Sequence, residues 1–98
     1  MLKKRSKRGS DQVVVTFTLA GDDPRLPASV VGEFNGWDPS VHPFRRRSNG
    51  AFSVAVTLAK GNTYRFRYRG ADGSWFNDDG ADGYQPNEYH TIDCVLAT

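Results

Sequence analysis

Two tryptophans lie on chain reversals and not inside hydrophobic runs, and they are the residues of this sequence best suited to bind a ligand. Trp37 follows an Asn-Gly turn pair at 35–36. Trp75 follows an Asp-Gly hairpin signal at 72–73. An indole carries ~150–250 Å² of mostly apolar surface, so two indoles on turns either close the ends of a core or contact a ligand. Because a pyranose ring has an apolar C–H face and a rim of hydroxyls, two exposed indoles suit a sugar polymer.

Three arginines alternate with three aromatic residues just before the second tryptophan. The aromatic set is Tyr64, Phe66 and Tyr68, and the basic set is Arg65, Arg67 and Arg69. On a strand these two sets point to opposite faces, so the arginines form a ladder on one face. A guanidinium carries five donors in a fixed fork and can bridge two vicinal hydroxyls or contact phosphates. A solvated outer face is the simpler alternative, and the acidic and amide residues at 77–79 favour a neutral polyol over a phosphate.

Side chains for catalysis or metal binding are poorly placed. The acidic pairs at 22–23 and 78–79 are sequence neighbours, which point apart on an extended chain and are interpreted as solvated turn residues. Glycoside hydrolysis needs two carboxylates ~5–9.5 Å apart across a cleft. His42 and His90 show no metal-ligand spacing, and Cys94 shares a face with apolar neighbours, which is typical of a buried small residue. We therefore expect no enzyme activity, no metal and no cofactor.

The composition is that of one soluble domain. The 98 residues are 38% hydrophobic and 24% charged. No apolar run approaches the ~20 residues of a membrane helix, and the first residues lack the apolar core of a signal peptide. The single Cys94 leaves no internal disulfide and fits a reducing compartment. The sequence thus predicts a cytoplasmic protein without membrane contact.

Charge is distributed unevenly along the chain. The first ten residues contain five basic side chains and no acidic one, whereas residues 11–98 contain eight basic and eleven acidic side chains. This pattern predicts a disordered basic tail at 1–10 and a folded domain at 11–98. The tail either solubilises the chain or attracts an acidic partner. It has no aromatic residue to stack on bases, which argues against nucleic acid as that partner.

Hydrophobicity alternates with a period of two from residue 12 onward. The clearest segments are 13–19, 52–58, 64–69 and 91–96, with shorter candidates at 29–32, 43–47 and 74–77. Turn residues separate them, and no helical periodicity is present. About seven short strands with frequent turns indicate an all-β fold, an antiparallel β-sandwich. Residues 77–90 form one long irregular stretch, and loops of that length are often functional.

Residues 30–38, Val-Val-Gly-Glu-Phe-Asn-Gly-Trp-Asp, resemble the signature strand and turn of family 48 carbohydrate-binding modules, also called isoamylase N-terminal or early-set domains. The second half is similar to the same module at 64–68, 72–75 and 77–78, so the resemblance spans roughly 12–97. It implies an immunoglobulin-like β-sandwich that binds α-1,4- and α-1,6-linked glucans such as glycogen or starch. Such modules precede branching and debranching enzymes and occur in the β subunit of the AMP-activated protein kinase.

The resemblance also implies a set of site residues. The two sugar platforms fall on Trp37 and Trp75, and the basic residue between them falls on Arg67 or Arg65. The family's Asn near the last strand is replaced by His90 or Tyr89, with Asn87 nearby. The implied carbohydrate site comprises Trp37, Trp75, Arg67, Arg65, His90 and Asn87.

These observations predict a non-catalytic module that binds an α-glucan polysaccharide or maltooligosaccharide by aromatic stacking. Two alternatives stay open. One is a structural module that docks on a glycogen-metabolising enzyme through a sheet edge or the basic tail, without contacting sugar. The other, less favoured, is a nucleic-acid binder that uses the tail and the arginine ladder.

Overall fold

The computed structural model describes residues 1–6 and 8–98, which form two antiparallel sheets packed face to face. The strands are β1 (Leu2–Ser6), β2 (Gln12–Leu19), β3 (Ala28–Gly32), β4 (Arg45–Arg46), β5 (Phe52–Ala59), β6 (Thr63–Gly70), β7 (Trp75–Phe76), β8 (Gly83–Pro86) and β9 (Ile92–Ala97). The first sheet has the order β1-β2-β5-β4. The second has the order β3-β6-β9-β8, and β7 also pairs with β6. The prediction of an all-β antiparallel sandwich is confirmed, and the described residues contain no helix able to span a membrane.

The core lies between the two sheets and is filled by the alternating residues of the long strands. The first sheet contributes Val13, Val15, Phe17, Leu19, Val54, Val56 and Leu58, and the second contributes Val30, Phe66, Tyr68, Cys94 and Leu96. Phe17 meets Phe66 edge to face, with ring centroids 5.1 Å apart. Cys94 is fully buried, and burial raises the pKa of its thiol to about 11. Its interpretation as a small buried residue is confirmed.

The basic N-terminal segment is a strand, which corrects the expectation of a disordered tail. Strand β1 pairs with β2 over five residues, from Leu2 opposite Phe17 to Ser6 opposite Val13. This pairing covers the outer edge of β2, whose N–H and C=O groups would otherwise face water. Leu2 packs partly against the core, and the Lys4 ammonium forms an ion pair with Asp82. Lys7, also assigned to the tail, lies outside the described residues.

The stretch at 77–90 is more ordered than its composition suggested. Strand β8 pairs with β9 from Gly83 opposite Val95 to Pro86 opposite Ile92. With this strand and β1, the part of the chain that the structure describes contains nine strands instead of about seven.

Asp78, expected to be solvated, is instead 4% exposed. Its carboxylate accepts hydrogen bonds from the Tyr68 hydroxyl at 2.6 Å and from the Gly80 N–H at 2.7 Å. It also contacts the N-terminal ammonium of Met1. Burial raises the pKa of the Asp78 carboxyl, but these contacts outweigh it and hold that pKa below its ordinary value.

Deleting residues 1–6 should lower the free energy of unfolding by about 1–2 kcal/mol, because Leu2 leaves the core and the edge of β2 becomes exposed. Thermal and urea unfolding of the truncated chain measure this loss. The matched control is the Lys3→Gln, Arg5→Gln double variant, which removes charge but keeps β1. An unchanged unfolding midpoint after the deletion would mean that the segment adds nothing to the folded state in solution.

Candidate functional site

A groove of about 960 Å³ lies over the outer face of the second sheet. Its floor is formed by β6, where Phe66 and Tyr68 are buried in the core while Arg65, Arg67 and Arg69 are half-buried on the opposite face. The predicted arginine ladder is therefore present. The groove brings together five of the six predicted site residues: Trp37, Trp75, Arg65, Arg67 and Asn87. It also contains Tyr89, which the resemblance offered as an alternative to His90, and residues that the prediction did not include, among them Glu33, Glu88, Thr91 and Asp93.

Trp37 is held out of the core by a short turn that follows β3. Residues Glu33–Asn35 form a 3₁₀ turn, after which Gly36 and Trp37 both take left-handed backbone conformations, with φ of 66° and 61°. The Trp37 N–H donates to the Gly32 carbonyl at 3.0 Å, which closes the turn. The resulting indole is 36% exposed, in agreement with the expectation from the turn sequence.

The side chain of Asn35 is the internal brace of this turn. Its Oδ1 accepts from the Gly32 N–H at 3.0 Å, and its Nδ2 donates to the Val30 carbonyl at 3.0 Å. Nδ2 also lies 2.9 Å from Nδ1 of His42. Burial lowers the pKa of the His42 imidazole, which favours the neutral ring that can accept this bond. The Asn-Gly pair thus supplies both the brace and the left-handed glycine.

The Trp37 turn is fastened to the central strand of the sheet. The Glu33 carboxylate accepts a hydrogen bond from the Arg65 backbone N–H at 2.6 Å. Gly32 lies so close to β6 that an added Cβ would be 2.6 Å from the Arg65 carbonyl oxygen. The position of the first indole therefore depends on a close backbone approach between β3 and β6.

Trp75 is presented by the hairpin between β6 and β7. Gly73, with φ of 87°, allows the tight turn, and the Asp72 carboxylate accepts from the Ser74 N–H at 2.9 Å. Trp75 pairs with Arg69 across the hairpin and is 42% exposed. The guanidinium carbon of Arg69 lies 4.7 Å from the indole centroid, which is a cation–π contact. The predicted exposure of the second indole is confirmed as well.

The two groove arginines are held by neighbouring polar groups. The Arg67 Nε donates to the Asn77 Oδ1 at 2.8 Å, and its guanidinium carbon lies 5.6 Å from the Trp75 ring centroid. Asn77 also donates to the Ile92 carbonyl at 2.8 Å, which ties Arg67 to the start of β9. Asn77 was not among the predicted site residues, and its partner on β9 is too distant in sequence to have indicated it.

Arg65 has its own set of partners at the edge of the groove. Its Nη2 donates to the Gln85 Oε1 at 2.6 Å and its Nη1 to the Pro86 carbonyl at 3.3 Å. The Asp93 carboxylate lies 3.7 Å from Nη1. Both terminal nitrogens of Arg65 are therefore engaged by the protein, one of them also beside a carboxylate. Arg67 uses Nε for Asn77, and its Nη1 makes only a 3.4 Å bond to the Thr91 hydroxyl, which makes Arg67 the better placed of the two to donate to a ligand.

The turn between β8 and β9 contains two of the predicted site residues, Asn87 and His90, and gives both a structural role. The amide of Asn87 is engaged within the turn: Oδ1 accepts from the Tyr89 N–H at 2.9 Å, and Nδ2 donates to Asp93 at 2.9 Å. His90 is exposed with φ of 62° and does not line the groove. Between them stands Tyr89, which is 76% exposed and does line it.

The charge of the groove is mixed. Arg65 and Arg67 are accompanied by three carboxylates, those of Glu33, Glu88 and Asp93. Such a surface does not concentrate polyanions, because positive and negative side chains stand side by side. Within residues 1–6 and 8–98, no three metal-ligating side chains are grouped to hold an ion.

One face of the β-sandwich thus carries exposed indoles beside fixed guanidinium donors. This combination is typical of a carbohydrate-binding module. The chain belongs to the carbohydrate-binding module 48 family (isoamylase N-terminal domain), whose model matches residues 27–87. The matched range contains both tryptophans, the arginine ladder and Asn87. The family resemblance read from the sequence is confirmed.

Curated relatives share part of the chain. It is 47% identical over 47 residues to a 1,4-alpha-glucan branching enzyme GlgB of Pseudomonas aeruginosa, and equally to one of Burkholderia lata. It is 41% identical over 46 residues to the branching enzyme GlgB 2 of Xanthomonas campestris. Each match covers 46% of this chain and 6% of the relative. The similarity thus concerns a small segment of these enzymes and supports a link to glucans in general.

Proposed function

We propose that this chain is a non-catalytic α-glucan-binding module that stacks glucose rings on Trp37 and Trp75. The observation that carries the proposal is that two exposed indoles from separate turns line one groove. The family membership and the glucan-branching relatives supply the class of ligand.

Binding follows from the chemistry of the groove. The C–H faces of glucose rings cover the apolar indole faces, while hydroxyls at the ring edges accept hydrogen bonds from Arg67. The guanidinium is already oriented by Asn77, so it loses little further freedom when the sugar arrives. A shallow groove that orders a flexible oligosaccharide yields modest affinity.

A binding role is favoured over a hydrolytic one by the state of the groove carboxylates. Glu33 accepts the Arg65 backbone N–H, and Asp93 is buried against Asn87. Both carboxylates are thus engaged by the protein, which leaves Glu88 alone among the three carboxylates that line the groove, whereas glycoside hydrolysis needs a pair facing each other across the bound sugar. The buried thiol of Cys94 is likewise unsuited to nucleophilic chemistry.

We propose that the protein acts in the cytoplasm. Glucan-metabolising enzymes are the natural partners of such a module there.

Maltoheptaose binding should be nearly independent of ionic strength, because a neutral ligand releases no condensed counterions. Calorimetric titration at about 50 mM and about 200 mM salt should give dissociation constants within twofold of each other. Double-stranded DNA, titrated in parallel, serves as the polyanion control. A tenfold loss of maltoheptaose affinity at the higher salt, or DNA binding tighter than sugar binding, would contradict the proposal. Absence of any maltoheptaose binding would favour the docking module instead.

A further inference from the structure

We propose that Tyr89 is a third aromatic platform of the groove, an inference that rests on the proposed glucan binding. Single exposed apolar side chains are common and need no explanation. Tyr89 differs because its 76% exposed ring shares one groove with Trp37 and Trp75. A phenol ring offers the same apolar face to a pyranose as an indole does, over a smaller area.

The three aromatic residues come from three different parts of the second sheet. Trp37 lies beyond the end of β3, Trp75 begins β7, and Tyr89 stands on the turn between β8 and β9. Strand β6 runs between them, with β3 on one side and β7 and β9 on the other. The aromatic rings therefore flank the arginines of β6 from separate directions. A glucan chain that crosses Arg67 from the two indoles reaches the third ring at the β8–β9 side of the groove.

The backbone that carries Tyr89 is fixed before any ligand binds. Asn87 Oδ1 accepts from the Tyr89 N–H at 2.9 Å and from the Thr91 N–H at 3.2 Å. The Asn87 N–H donates to the Thr91 carbonyl at 2.9 Å, and His90 takes the left-handed conformation that reverses the chain. These bonds account for Asn87 and His90 as parts of the turn. The exposed ring between them makes none of these bonds, which leaves it free to contact sugar.

A preorganised ring raises affinity because little backbone entropy is lost on binding. An additional aromatic contact contributes the equivalent of about 3- to 10-fold in affinity. The groove then engages a longer stretch of glucan than two indoles alone would cover. Chain-length preference, which family membership does not specify, is set in part by this tyrosine.

The test is a calorimetric titration of maltoheptaose into the wild type and four variants. Tyr89→Ala should weaken binding about 3- to 10-fold, whereas Tyr89→Phe, which keeps the ring, should stay within twofold of the wild type. Ile92→Ala is the matched control, since Ile92 is 50% exposed near the same turn but does not line the groove. Trp37→Ala reports on the proposed function itself. In wild type, the ring resonances of Tyr89 should shift when maltoheptaose is added.

The outcomes separate the two proposals. If Trp37→Ala loses affinity while Tyr89→Ala binds like the wild type, and the Tyr89 ring resonances of the wild type stay fixed on maltoheptaose addition, the third platform is wrong and the two-indole site stands. If Tyr89→Ala and Tyr89→Phe weaken binding equally, the ring face is not the contact and the inference is overturned. If the wild type does not bind maltoheptaose, the proposed function fails and the third platform fails with it.

Discussion

Replacing Trp37 or Trp75 by alanine is expected to weaken maltoheptaose binding by about 1–3 kcal/mol for each substitution, with little change in stability. Each indole is exposed and lines the groove, so its loss removes a ligand contact and leaves the core filled. Retardation on native gels cast with glycogen and calorimetry with maltoheptaose measure the binding, and thermal unfolding measures the stability.

Val41→Ala is the matched control for the tryptophan variants. Val41 is 50% exposed, lies in the same connection between β3 and β4 as Trp37, and does not line the groove. Its variant should bind and unfold like the wild type. If either tryptophan variant loses about 3 kcal/mol or more of stability, as deletion of a core aromatic does, that indole is structural and its assignment to the site is wrong.

Gly32→Ala is expected to destabilise the protein by about 1–3 kcal/mol, as overpacking of a closely packed site does. The added Cβ would lie 2.6 Å from the Arg65 carbonyl oxygen and 2.8 Å from a ring carbon of Phe34, so β3 must move away from β6. The backbone at Gly32 is extended, with φ of −173°, so the cost arises from space and not from strain. Urea unfolding measures the loss.

The same substitution should also weaken glucan binding, because the Trp37 N–H bonds to the Gly32 carbonyl. Gly83→Ala is the control on the same sheet, where the added Cβ would lie 3.7 Å from the Val95 Cβ, an ordinary contact. It should change neither stability nor affinity appreciably. Equal stability of the Gly32 and Gly83 variants would show that the close approach of β3 to β6 is not required.

Local signals in the sequence account for the long strands and for the two indoles. The period-two patterns of β2, β5, β6 and β9 depend only on neighbours in the chain, because side chains on a strand alternate between core and surface. The turns before Trp37 and Trp75 are similarly local, since an Asn-Gly or Asp-Gly pair supplies its own positive φ and side-chain bonds. The exposure of both rings could therefore be predicted from sequence, together with the β-sandwich.

Pairings between distant segments could not be predicted in this way. Strand β1 looked disordered because its cations repel in isolation, yet β2 offers an open edge that its backbone can pair with. Asp78 looked like a solvated turn acid, but its carboxylate contacts the Tyr68 hydroxyl, ten residues away, and the N-terminal ammonium, 77 residues away. Each contact joins groups that local sequence patterns do not mark as neighbours and that only the folded chain brings together.

The difference between what the sequence determined and what only the tertiary structure decided is clearest at the turn between β8 and β9. The sequence by itself determined that polar and aromatic residues gather near the last strand, and the family resemblance placed Asn87 and His90 in the site. Only the tertiary structure decided their roles, because the pairing of β8 with β9 brings Asp93 and Thr91 beside the Asn87 amide and engages it. With the amide held inside the turn and His90 turned to solvent, the groove at this end is lined by the ring of Tyr89.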